Sequence, residues 1–95
     1  MILKGTQKMA TARKFFVLVQ CAVGKADDVG VAIVKLGEPV RMVCSISGEY
    51  DLLVELVAID ETPVNEMIGT TIHSIPGVER TNTIVAFQVY DPDWV

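Results

Sequence analysis

Five consecutive residues, Ser47, Gly48, Glu49, Tyr50 and Asp51, concentrate more polar chemistry than any other stretch of this chain. They interrupt two apolar runs, Val40 to Ile46 before and Leu52 to Val57 after, in the manner of a β-hairpin turn. A turn there brings a glycine, a phenol and a carboxylate to one corner of a sheet. Its glycine lets a small ligand come close to the backbone. The bland reading is a glycine at positive φ and a carboxylate that caps turn backbone, and both roles are compatible with ligand binding.

Other reactive side chains are scattered. Cys21 and Cys44 each fall inside an expected strand, which reads as reduced, packed thiols. With one His and no CxxC pair, a zinc site has almost no ligands to draw on, and neither metal nor cofactor is expected. His73 lies away from the apolar stripe of its helix and is expected in solvent. Glu38, Asp60, Glu61 and Glu66 lack metal-ligand spacing and read as solvated surface.

The elements that would hold the turn follow from periodicity. Positions 1–14 show no clear pattern and read as a flexible arm. Phe15 to Ala22 reads as a strand, aromatic and β-branched and ended by Val23-Gly24. Lys25 to Leu36 reads as a helix with Ala26, Val29, Ile33 and Leu36 on one face, closed by Gly37 and Pro39. Val40–Ser47 and Leu52–Ile59 form the hairpin. Thr62 and Pro63 then suit the N-cap and first position of a second helix, whose stripe is Val64, Met67, Ile68, Thr71, Ile72 and Ile75. Pro76-Gly77 ends it, and a last strand runs from about Val78 to Tyr90, before a short tail at 92–95. Strand, helix, strand, strand, helix, strand with right-handed crossovers predicts an α+β, ferredoxin-like βαββαβ fold. Its four-stranded antiparallel sheet carries both helices on one face.

A sheet with helices on one side and water on the other should alternate apolar with polar. These strands do not. The helix-facing set includes Val17, Val19, Val54, Leu56, Val85 and Phe87, expected to pack solidly. The opposite set is Phe16, Leu18, Gln20, Leu53, Glu55, Val57, Ile84, Ala86 and Gln88, mostly apolar with a polar residue per strand. That is the composition of an interface, and leaving it wet forgoes several kcal/mol at about 25 cal/mol per Å². Two such sheets packed face to face, a dimeric α/β barrel, is the expectation, with Glu55 partnered by a hydrogen bond.

Composition points the same way. In 95 residues a 51% hydrophobic content is hard to hide in a lone subunit. A net charge of −4 argues against a phosphate-binding surface, and the few basic residues near the N-terminus make a weak nucleic-acid arm. Neither a signal-peptide pattern nor a membrane-length apolar run is present, which reads as a cytoplasmic protein.

The segments FFVLVQCAVGKADDVGVAI and SISGEYDLLVELVAID resemble the effector-binding, or RAM, domain of the Lrp/AsnC family, the feast/famine regulators of amino-acid metabolism. Near the end, IHSIPGVERTNTIVAF resembles that family's closing helix, Pro-Gly-Val bend and Thr-x-Thr strand entry. The likeness spans Phe15 to Val89, and it is the two motifs at this separation that carry it. The resemblance implies a RAM-type ligand-binding and oligomerisation domain over 15–91. Family regulators carry a helix-turn-helix domain ahead of it; the fourteen residues before Phe15 are too short for one, so the likeness is to a stand-alone form.

It further implies dimers joined through their sheets, rings such as octamers, and mixing with full-length regulators. A small effector, usually an amino acid, would bind near the hairpin turn. Asp51 would receive its ammonium group, Gly48 and the amides of Glu49 and Tyr50 would cradle its carboxylate, and Thr81 and Thr83 would supply hydroxyls. For Tyr50 the plain alternative is packing against a neighbour, and for the threonines ordinary half-exposed strand positions. A non-enzymatic sensor is the leading reading. A small α/β-barrel monooxygenase or isomerase, which needs an enclosed polar cavity, and a purely structural assembly subunit are the alternatives.

Overall fold

The computed structural model describes residues 12–59, 64–87 and 90. Six elements follow in order: β1 (Ala12–Cys21), α1 (Ala26–Val34), β2 (Val40–Ser45), β3 (Leu52–Ile59), α2 and β4 (Val78–Ala86). The helix α2 begins as one α-turn at Val64–Glu66 and continues in wider π turns over Met67–Ile72. The strands form one antiparallel sheet in the order β2-β3-β1-β4, as a βαββαβ ferredoxin-like fold requires.

Alternation along β1 sets the layers. Phe15, Val17, Val19 and Cys21 are buried, together with Leu52, Val54, Leu56 and Ala58 of β3. Val29 and Ile33 of α1 and Val64, Ile68 and Ile72 of α2 close over them in a single cluster. The i, i+4 spacing of each helical set puts a narrow apolar stripe on the sheet. Gly77, at φ 102°, makes the bend into β4 where a Cβ would stand 3.0 Å from both Lys25 and Val29 side chains.

Several boundaries depart from expectation. The first strand starts at Ala12, so positions 12–14, expected in the arm, pair with β3, and Lys14 is held by an ion pair to Glu55 at 2.9 Å. In α1 the helix stops at Val34, which leaves Leu36 exposed instead of on the stripe. Along the second helix the Thr70 and Ser74 hydroxyls donate to the carbonyls of Glu66 and Thr70, both at 2.6 Å, and the helix winds wide over Met67–Ile72. His73 N–H accordingly reaches Ile68 C=O, five residues back, at 2.9 Å.

The largest correction concerns β4. It ends at Ala86, not Tyr90, and Val85 is 44% and Phe87 94% exposed, where a solid pack was expected. Val85 stands opposite buried Phe15 on the helix side, but β4 is an edge strand and its end is exposed. The expectations for the arm at 1–11, the cap Thr62-Pro63, Asp60, Glu61, Gln88, Val89 and the tail at 92–95 lie outside the described residues. Among those described, no helix is long and apolar enough to cross a membrane.

Candidate functional site

The hairpin between β2 and β3 closes with Ile46 N–H donating to Asp51 C=O at 3.0 Å, and Gly48 takes φ 111° inside the loop. That positive φ is the conformation glycine alone adopts without strain. Asp51 then fastens the loop to β1. Its backbone N–H donates to Val19 C=O at 2.9 Å, and its Oδ2 accepts the Cys21 N–H at 2.7 Å. The last β1–β3 pair is Val19 with Leu52, so the carboxylate acts as one further rung of the ladder. It thus caps backbone, though that of a neighbouring strand. The Cys21 thiol beneath it is pushed above its ordinary pKa, first by burial and then by the charges of Asp51 and Glu79.

Glu49 and Tyr50 turn toward β4. Arg80 Nη2 donates to Glu49 Oε2 at 3.0 Å, and its guanidinium carbon lies 5.1 Å from the centre of the Tyr50 ring. Gln20, opposite Arg80 in the register, donates from Nε2 to Glu49 C=O at 3.4 Å. The amides of Gly48, Glu49 and Tyr50 donate to no protein group among the described residues. The corner therefore offers free N–H donors, an aromatic wall and a guanidinium within one short loop and the ends of two strands.

Thr81 and Thr83 stand elsewhere. They face Val19 and Val17 across the β1–β4 ladder, on the helix side of the sheet, whereas Arg80 and Gln20 lie on the other. Thr81 Oγ1 is 3.4 Å from Nδ1 of the exposed His73. The structure thus brings Glu49 and Tyr50 together with Gln20 and Arg80, and leaves the two threonines apart from them. Arg80 escaped the sequence reading. A lone Arg after Pro-Gly-Val carries no signal until the register sets it opposite Gln20.

The sheet face away from the helices carries Phe16, Leu18, Gln20, Leu53, Glu55, Val57 and Ala86, all half-buried, with Ile84 46% exposed. Lys14 is the partner of Glu55, whose side chain is only 16% exposed. On the opposite side, an open groove of about 390 Å³ runs between α1 and β2, lined by Val31, Val34, Val43 and Leu52 with Asp27 and Lys35 at its rim. None of the sequence-expected site residues lines it. Among the described residues, no three His, Cys, Asp or Glu side chains converge as a metal would require.

Comparison with known proteins agrees with this architecture. The profile of the Lrp/AsnC ligand binding domain matches residues 14–94. The chain belongs to the Lrp/AsnC ligand-binding-domain family. It is 31% identical over 75 residues to the HTH-type transcriptional regulator FL11 of Pyrococcus abyssi, an alignment covering 79% of this chain and 48% of FL11. It therefore spans about half the length of the curated relative it matches. Among solved structures, TTHA0845 from Thermus thermophilus is 33% identical with a TM-score of 0.66, over 83% of this chain and 98% of that one. The transcriptional regulator NMB0573 of Neisseria meningitidis, solved as an L-Met complex, is 19% identical with a TM-score of 0.69, over 80% of this chain and 50% of that one, and shares the fold.

Proposed function

We propose that this Lrp/AsnC ligand-binding domain is a non-enzymatic amino-acid sensor that works in the cytoplasm through its state of assembly. The observation that carries the reading is the corner at residues 48–51, where the amides of Gly48, Glu49 and Tyr50, without a protein partner among the described residues, lie beside an apolar sheet face. Successive free N–H groups suit an α-carboxylate. The remaining lone pairs of the Asp51 carboxylate suit an α-ammonium group. The L-Met complex of the Neisseria relative supports amino acids as the effector class.

The open face built on Phe16, Leu18, Leu53, Val57 and Ile84 pairs with the same face of a second copy, giving a dimeric α/β barrel. Glu55, Gln20 and Ala86 complete that interface. Dimers then meet near the hairpin corner in a ring such as an octamer, so that effector binding and ring contacts influence one another. Thr81 and Thr83, on the helix side of β4, would supply hydroxyls to the effector from the side of the sheet away from Arg80. The HTH-type regulator relative supports a role in transcription; on this reading the regulated genes are those of amino-acid metabolism, and full-length Lrp/AsnC proteins are partners in mixed assemblies. The net charge of −4 supports a domain that does not itself hold nucleic acid.

Isothermal titration with each of the twenty amino acids tests the sensing claim. At least one is expected to bind more tightly than millimolar, with loss of that binding in a Gly48→Val variant, whose side chain is disfavoured at φ 111°. If no amino acid binds more tightly than millimolar, the reading fails.

A further inference from the structure

Arg80 is the sole cation at the hairpin corner among the described contacts, and it is held by the loop's own carboxylate. Glu49 meets it through a single Nη2–Oε2 contact at 3.0 Å, with side-chain exposures of 51% for Arg80 and 72% for Glu49. An exposed one-armed pair of this kind is weak and exchanges readily. Tyr50 is a second, independent contact for the guanidinium, whose carbon lies 5.1 Å from the ring centre and which keeps an attachment when Glu49 leaves. A guanidinium presents a fork of N–H donors that matches a carboxylate in two parallel bonds. Glu49 uses one arm of that fork.

Building on the amino-acid reading above, we propose that Arg80 is the specificity-determining residue for the effector's carboxylate, and that Glu49 is an internal competitor occupying its place in the empty state. Binding then requires an exchange of one carboxylate for another on a fixed guanidinium. The incoming group gains the second arm and the neighbouring amides of Gly48 and Tyr50. Glu49 swings into solvent, where its charge is well hydrated. The loop's affinity is set by this competition: the acidic side chain raises the effector concentration needed to switch the domain.

The test is titration of the twenty amino acids and their carboxamides into the native full chain and into the Glu49→Gln, Arg80→Gln and Arg80→Lys variants. Thermal melts should coincide across the set, since both positions are exposed. Glu49→Gln is expected to tighten amino-acid binding severalfold. Arg80→Gln should weaken it at least about tenfold, the scale of a lost charge-assisted pair. Arg80→Lys should fall between, because it keeps the charge and loses the fork. The decisive readout is discrimination: the native chain prefers acid over carboxamide, and Arg80→Gln loses that preference, which a purely structural role would not produce. If the native chain binds and Arg80→Gln binds equally well with discrimination intact, this inference is overturned while the sensor stands. If neither the native chain nor Glu49→Gln binds any amino acid, both fall together.

Discussion

Replacing Asp51 by alanine removes the loop carboxylate that accepts a backbone N–H of β1. Its Oδ2 sits 2.7 Å from Cys21 N, on a residue that is 8% exposed, so the N–H left behind has poor access to water. A hydrogen bond to a charged acceptor is worth about 1.5–3 kcal/mol, and a stranded donor carries a desolvation cost of similar size. We therefore expect Asp51→Ala to lower stability by about 2 kcal/mol, which for a domain this size corresponds to a fall of roughly 8–16 °C in Tm. Asp51→Asn keeps an acceptor oxygen and loses the charge, and should forfeit about half as much. Urea unfolding followed by circular dichroism, at fixed protein concentration because assembly adds to apparent stability, measures both. An Asp51→Ala chain within about 0.5 kcal/mol of the native one would show that the carboxylate is not a rung of the sheet.

At the bend before β4, Gly77→Ala should destabilise by about 1–3 kcal/mol in the same assay, since it combines φ 102° with contacts at 3.0 Å. Gly24→Ala, at φ 80° with nothing within 4 Å of the new carbon, should cost distinctly less. The raised pKa of Cys21 gives a pH signature. The unfolded thiol ionises near its ordinary 9.0 while the folded one stays protonated, so the unfolded state binds fewer protons and stability falls as pH rises above that value. Comparing urea midpoints of the native chain and Cys21→Ala across alkaline pH should show a flatter profile in the variant. Alkylation with iodoacetamide near neutral pH should label half-buried Cys44 well before buried Cys21.

Much of the fold was legible because apolar alternation at period two is a local signal. Val17, Val19, Val54 and Leu56, read as helix-facing, are fully buried, and Val29, Ile33, Val64, Ile68 and Ile72 close the core as their helical spacing implied. What failed depended on neighbours. Val85 and Phe87 continue the apolar pattern of β4, yet burial requires a covering element, and an edge strand that stops at Ala86 has none there. Leu36 kept the helical period two residues past the point where the helix ends. For the corner, glycine, tyrosine and two carboxylates in a row announced a polar turn. Which of them meet was a matter of register: one residue along β4 separates Arg80, beside Gln20, from Thr81, on the far side of the sheet. No local pattern encodes that choice of face. The pairing of Asp51 with Cys21 N likewise arises only where the β1–β3 ladder runs out.

Sensing through assembly requires a second copy to cover the sheet face that carries Phe16, Leu18, Leu53 and Ile84. Sedimentation equilibrium of the native chain, with and without a mixture of amino acids, tests this most directly. A mass at least twice the 10.4 kDa of one chain is expected in both conditions, with a shift in the larger assemblies on adding ligand, and Leu18→Glu should reduce it to a single subunit. A monodisperse species of 10.4 kDa at every concentration, unmoved by amino acids, would contradict the account.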